Sequence, residues 1–173
     1  MIKFEKIANE LSSCLLRVSE EERAAFSSHF TRERRVFCAG AGRSGLVARA
    51  FAMRLAHLGL TSYMVGETIT PSIREGDILM IVSGSGSTPT MLEIGRKAKD
   101  IRAQVLLITS KPESALGGIA DASVTIPFFS SIQPLGTLSD QSALIVLDAI
   151  IVDLMGRFEI TDSDMRINHA NLE

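Results

Sequence analysis

The feature that most limits how this chain can fold is the run Ile78-Leu79-Met80-Ile81-Val82, which stops abruptly at Ser83-Gly84-Ser85-Gly86. A strand with one wet face alternates apolar and polar residues. A run with no alternation is buried on both faces, which is the condition of a parallel strand lying between two layers of helices. The same rhythm recurs along the chain. Strands are expected at Val36–Ala39, Ser62–Val65, Ile78–Val82, Gln104–Thr109 and Ser123–Pro127. Helical patterns fall between them: one through Leu58 with a stop at Gly59, one over Pro89–Asp100 and a short one over Glu113–Ile119. Strands alternating with helices predict an α/β three-layer sandwich, a five-stranded parallel sheet with helices on both faces. At 173 residues the chain fits one domain, 1–173.

An N-terminal helical segment precedes the sheet, at about 1–31. Phe4, Ile7, Ala8, Leu11, Cys14, Leu15 and Val18 form a helical stripe, and Ser19-Glu20-Glu21-Glu22 reads as a capping box that starts a second helix. Near the other end, Phe128–Gly136 reads as a loop. Thr137 is the expected cap of a last long helix, with Asp140 at its third position. The stretch Ala143–Met155 is apolar nearly all round, so it is either central to the core or covered by another subunit, and the second is the expectation here. Asp148 within it would need a structural hydrogen bond if buried.

Composition closes several functional classes. Eighteen basic residues against twenty acidic ones leave a net charge of -2, which gives no long-range attraction for nucleic acid or an anionic membrane. Cys14 and Cys38 are the two cysteines and read as core side chains; His29, His57 and His169 are scattered, so no metal-ligand spacing arises. The N-terminus has no hydrophobic secretion core, and the apolar stretch Ala143–Met155 is too short to span a bilayer. A cytoplasmic protein without a local metal-ligand cluster is expected.

Two glycine-rich turns follow strands. Gly40-Ala41-Gly42-Arg43-Ser44-Gly45 has the outline of a dinucleotide fingerprint, but Gly66-Glu67 lies beyond the usual place of the confirming carboxylate, and Arg43 sits where a pyrophosphate would approach. A dinucleotide site, a close strand–helix crossing without ligand, and an anion or sugar site all remain open for it. The second turn is sharper: Ser83, Ser85, Ser87 and Thr88 supply hydroxyls, Gly84 and Gly86 let backbone amides curl inward, and Pro89 suits the start of a helix. Neutral donors at the positive end of a helix bind phosphate without a lysine. No Gly-Lys-Ser/Thr sequence is present, which argues against ATP hydrolysis. Candidate bases are Glu67, His57, Asp140 and His169; each has a plain alternative as a surface acid, a packing histidine or a helix-start charge.

Taken together, the blocks Ala39–Gly45, Phe51-Ala52-Met53-Arg54-Leu55-Ala56-His57-Leu58-Gly59, Val65-Gly66-Glu67, Ser83–Thr88, Pro134-Leu135-Gly136-Thr137 and His169-Ala170-Asn171-Leu172-Glu173 resemble the sugar isomerase (SIS) domain family, and within it the hexulose-phosphate isomerase branch. The resemblance runs over nearly the whole chain. It implies a flavodoxin-like sheet and a homo-oligomer assembled as a tetramer, a dimer of dimers. It implies conversion of D-arabino-hex-3-ulose 6-phosphate to D-fructose 6-phosphate through a cis-enediol, without cofactor or metal, in the ribulose monophosphate route of formaldehyde assimilation. Ser83, Ser85, Ser87 and Thr88 fall at the family's phosphate-binding positions. Gly42, Arg43 and Ser44 fall at its sugar-binding turn, and Glu67 and His57 are expected to line the same region. Where the family usually carries an aromatic residue followed by a catalytic glutamate, this chain has Ser139 and Asp140. The catalytic set expected from the resemblance is therefore Asp140, His57, Glu67 and Arg43. Another phosphosugar isomerase and a non-catalytic sugar-phosphate sensor are the alternatives.

Overall fold

A computed structural model describes residues 2–127 and 130–172. Its sheet contains β1 (Val36–Gly40), β2 (Ser62–Met64), β3 (Ile78–Val82), β4 (Gln104–Thr109) and β5 (Ala122–Thr125). Every pairing is parallel, and the strand order is β2-β1-β3-β4-β5. The helices are α1 (Lys3–Leu15), α2 (Glu20–Ser28), α3 (Gly42–His57), α4 (Pro89–Asp100), α5 (Thr137–Phe158) and α6 (Asp162–Ile167). The expected three-layer sandwich is therefore present.

Register explains why the apolar runs do not alternate. Cys38 pairs with Met64 and Met80, and Met80 with Leu106; all four project into the core shared with α1, α2, α3 and α5. Their neighbours Phe37, Leu79 and Val105 project the other way, against Met91 and Ala98 of α4. Both faces of each strand are thus dry, and each face takes half of the run. Both cysteines are free and buried. Burial pushes the Cys38 thiol well above its ordinary pKa.

Boundaries shift where local chemistry competes. Ser19 Oγ accepts from Glu22 N at 3.1 Å, as the capping pattern predicts. The Glu22 carboxylate does not return to the cap; it accepts from Thr125 N at 2.7 Å and ties α2 to β5. Over 113–119 only Gly117–Ile119 forms a single 3₁₀ turn, because Gly117-Gly118 is poor helical sequence. The expected loop over 128–136 is described from residue 130 onward; Phe128 and Phe129 lie outside the described residues. Gly136, not Thr137, caps α5. Thr137 is its first helical residue, with Oγ1 donating to the Pro134 carbonyl at 2.6 Å, so Asp140 stands at the fourth position.

Most of α5 is central to the core of its own chain: Ala143, Val146, Leu147, Ile150, Ile151 and Leu154 are buried there. This corrects the expectation that its apolar circumference belongs mainly to another subunit. Ile145 and Val152 remain exposed, as does Asp148, which needs no buried partner. Among the described residues no helix is long and apolar enough to cross a membrane.

Candidate active site

In this strand order β1 and β3 are neighbours, yet the helices that follow them pack on opposite faces of the sheet. Such a switch point opens a crevice beyond the C-terminal ends of the strands. A cavity of about 500 Å³ lies there. One wall comes from Ala41 and Ser44 after β1, and another from Ser83, Gly84, Ser85 and Thr88 after β3. Ser110 and Lys111 after β4 add a third, and the entry to α5 closes it with Leu135, Gly136, Ser139 and Asp140.

The wall after β1 depends on a close approach of two backbones. A Cβ on Gly40 would lie 2.7 Å from the Ser44 carbonyl oxygen, and a Cβ on Gly45 would lie 2.7 Å from the Gly40 carbonyl oxygen. Glycine at both places lets α3 start directly against β1. The Gly40–Gly45 turn is thus a tight strand–helix crossing, and the same crossing sets Ser44 at the cavity.

The wall after β3 is a folded turn. Gly86 N donates to the Ser83 carbonyl at 3.0 Å, and Ser110 N donates to the Gly84 carbonyl at 3.1 Å, which fastens the turn to the end of β4. Gly86 has φ +61°, and a side chain there would overlap Ser114. Thr88 is the cap residue of α4, but its side chain makes no capping bond; Thr88 Oγ1 stands 3.4 Å from Ser83 Oγ. The Ser83, Ser85 and Thr88 hydroxyls and the start of α4 thus lie together at the cavity wall, a set of donors suited to an anion.

Opposite this turn stands a buried acid. Asp140 is 8% exposed. Its Oδ1 accepts a hydrogen bond from Ser44 Oγ at 2.7 Å, and Arg43 Nε lies 3.5 Å from Oδ2. The preceding residue, Ser139, is hydrogen-bonded through Oγ to Ser110 Oγ at 2.8 Å. A smaller cavity of about 280 Å³, lined by Arg43, Leu46, Val47, Ala50, Gln141 and Leu144, reaches Asp140 from its other side. The carboxylate thus stands between an apolar pocket and a polar one, held by a hydroxyl and a guanidinium. That suits a group that must take and return a proton without moving.

Of the expected site residues, the structure brings Ser44, Ser83, Ser85, Thr88 and Asp140 to the larger cavity, with Arg43 behind Asp140. Ser87 and Gly42 help shape the turns without lining it; Ser87 N donates to Ser85 Oγ at 3.3 Å, and Gly42 opens α3. Two residues are not brought there. His57 ends α3, thirteen residues after Ser44 and therefore about 20 Å along the helix. It is buried under His169, whose ring stacks on it with centroids 5.0 Å apart, and Asn168 Nδ2 donates to its carbonyl at 3.0 Å. Glu67 sits in the turn after β2 and pairs with Arg49 at the surface. Ser110 and Lys111 went unnoticed in the sequence. Their signal is positional, since they directly follow a buried parallel strand at the edge that carries the serine turn. Among the described residues no group of three His, Cys, Asp or Glu side chains could hold a metal ion.

Comparison with known proteins bears on this geometry. The family model for the SIS domain matches residues 29–151. The 3-hexulose-6-phosphate isomerase of Bacillus subtilis is 39% identical, with 97% of this chain and 96% of that protein covered. The 3-hexulose-6-phosphate isomerase of Mycobacterium gastri is 38% identical over 96% of this chain and 88% of its own length. Among solved structures, a protein of Methanococcus jannaschii, for which a 3-hexulose-6-phosphate isomerase function was inferred, superposes with a TM-score of 0.89. It is 33% identical and covers 99% of both chains.

Proposed function

Because the chain belongs to the SIS domain family, we propose that it interconverts D-arabino-hex-3-ulose 6-phosphate and D-fructose 6-phosphate, a 6-phospho-3-hexuloisomerase reaction. The observation that carries this reading is the placement of Asp140, a buried acid fixed by Ser44 and backed by Arg43, across a cavity from the hydroxyl turn 83–88. The match to relatives of that name over nearly their full length supports the choice of substrate.

The chemistry moves a carbonyl between adjacent carbons. With the phosphate held by Ser83, Ser85, Thr88 and the start of α4, Asp140 takes the proton from C2 of the hexulose. The electrons of that bond form the C2–C3 double bond, and the C3 carbonyl oxygen becomes the enediolate oxygen. Returning the proton to C3, while the O2 proton passes to O3, leaves C2 as the carbonyl and C3 as the carbinol of the 2-ketose. One carboxylate serves both carbons because they are adjacent on one face of a cis-enediol. Arg43, behind Asp140, steadies the carboxylate from the side away from the larger cavity. Asp140 is one carbon–carbon bond, about 1.5 Å, shorter than the glutamate usual at its place. Ser44 and Arg43 both approach from α3, and this is what we take to set its reach.

Several further points belong to the same reading. We take the assembly to be a tetramer, with the exposed apolar residues Leu46, Met53, Ile145 and Val152 at its contacts. Any part for His57 or Glu67 in the reaction requires that another copy of the chain present its cavity to them. The working place is the cytoplasm, the reaction belongs to the ribulose monophosphate route of formaldehyde assimilation, and no nucleic acid is bound. Turnover measured across phosphorylated pentoses, hexuloses and heptoses tests the substrate. A clear preference for hex-3-ulose 6-phosphate is expected. Stabilisation by sugar phosphates with turnover of none would make the chain a sensor instead.

A further inference from the structure

The serine turn offers a phosphate only neutral donors, and a sugar phosphate brings close to two negative charges into a cavity that also contains Asp140. The nearby arginines are already engaged: Arg43 faces Asp140, and Arg49 pairs with Glu67. Among the described residues Lys111 is the one lining the larger cavity with a cationic side chain. It is exposed, and among the described residues it enters no ion pair. Its backbone is fixed with respect to the turn. Lys111 N donates to Thr109 Oγ1 at 3.1 Å, and the Lys111 carbonyl stands where a side chain on Gly86 would approach to 3.2 Å. The preceding Ser110 is bonded through its amide to the Gly84 carbonyl and through its hydroxyl to Ser139. A long flexible cation is thus rooted on a rigid junction that touches both the phosphate turn and the entry to α5.

We propose that Lys111 is a substrate-binding residue: its ammonium contacts the phosphate of the bound sugar from the rim and draws anionic substrate into the cavity. This rests on the sugar-phosphate reading above. A Lys ammonium acts on phosphate as a mobile point charge and needs no fixed fork geometry. Its effect falls on capture of substrate, since the phosphate carries the same charge in substrate and enediolate.

The test compares the wild type with Lys111→Met and Lys111→Arg, using hex-3-ulose 6-phosphate turnover and calorimetric binding of inorganic phosphate. Lys111→Met is expected to raise KM about fivefold, the size of a solvent-exposed ionic contact, and the loss falls on KM rather than on kcat. Lys111→Arg restores most of it. The decline of kcat/KM with added salt becomes shallower in Lys111→Met, because a screened charge has been removed. A KM within about twofold of wild type in Lys111→Met, with unchanged salt dependence, overturns the role of Lys111 while leaving the substrate reading intact. Failure of the wild type to bind phosphate or turn over the sugar overturns both.

Discussion

Ser44 Oγ donates to Asp140 Oδ1 at 2.7 Å, across ninety-six positions of sequence. The bond joins the first turn of α3 to the first turn of α5 and fixes Asp140, the buried acid that lines the cavity. Without it the carboxylate has Arg43 as its remaining side-chain partner, at 3.5 Å. Ser44→Ala is expected to lower kcat about ten- to a hundredfold with little change in KM, the range found when a catalytic group is misplaced by about 1 Å. Ser44→Thr, which keeps the hydroxyl, recovers part of it. Steady-state kinetics on the three proteins check this.

Gly40 controls the same bond from one step further away. Gly40→Ala would place a methyl group 2.7 Å from the Ser44 carbonyl and 2.8 Å from Gly45 N, so the start of α3 must move. A loss of about 1–3 kcal/mol in urea unfolding is expected, as for other forced overpacking. A fall in kcat should accompany it, because Ser44 moves with the backbone. Equal stability with full activity would show that α3 can yield without disturbing the site.

Glu10 of α1 holds the segment that leads into α5. It accepts from Ser131 Oγ at 2.6 Å, from Ile132 N at 2.9 Å and from Gln133 Nε2 at 3.4 Å. The Ser131 and Ile132 bonds are the main cause holding its carboxyl below the usual 4.5. A depressed carboxyl contributes its tether fully above the ordinary value and loses it as pH falls through the lowered one. Amide exchange at Ile132 should therefore quicken, relative to the intrinsic rate, as pH drops below 4.5. Glu10→Gln should show quick exchange already at neutral pH. No difference between the two proteins would remove Glu10 from the account of how 131–136 is held.

Much of the fold could be read in advance because burial on two faces leaves a plain mark. Ile78–Val82 was legible as a central strand since neither of its faces could tolerate a polar residue. The segment 113–119 was less legible: its apolar spacing suggests a helix, but Gly117 and Gly118 leave it a single turn. The all-apolar circumference of α5 reads equally as a core helix and as an interface helix. Packing of α1, α2 and α3 around it decides for the core over most of its length. Within the site, the serine turn was legible because its four hydroxyls fall within six residues. The Ser44–Asp140 bond was not, because only the sheet topology brings those turns together, and Lys111 carries no local pattern at all. His57 shows the converse, a residue with a chemically suggestive side chain that the rise of one helix carries away from the cavity.

Exposed Leu46, Met53, Ile145 and Val152 on α3 and α5 set the expectation for assembly. Light scattering at micromolar concentration should give a mass of several chains. Val152→Asp, at a position 65% exposed in the single chain, should lower that mass without unfolding the protein. A monomeric wild type would remove the assembly from the proposal.

The most direct test of the central claim is turnover of hex-3-ulose 6-phosphate by the wild type and by Asp140→Asn, followed through the appearance of fructose 6-phosphate. The replacement keeps the size of the side chain and removes the base. The wild type should convert the sugar, and Asp140→Asn should lose about 10³-fold in kcat, the scale of a general base, with KM changed only modestly. Near-normal turnover by Asp140→Asn would contradict the assignment of Asp140 as the group that carries the proton.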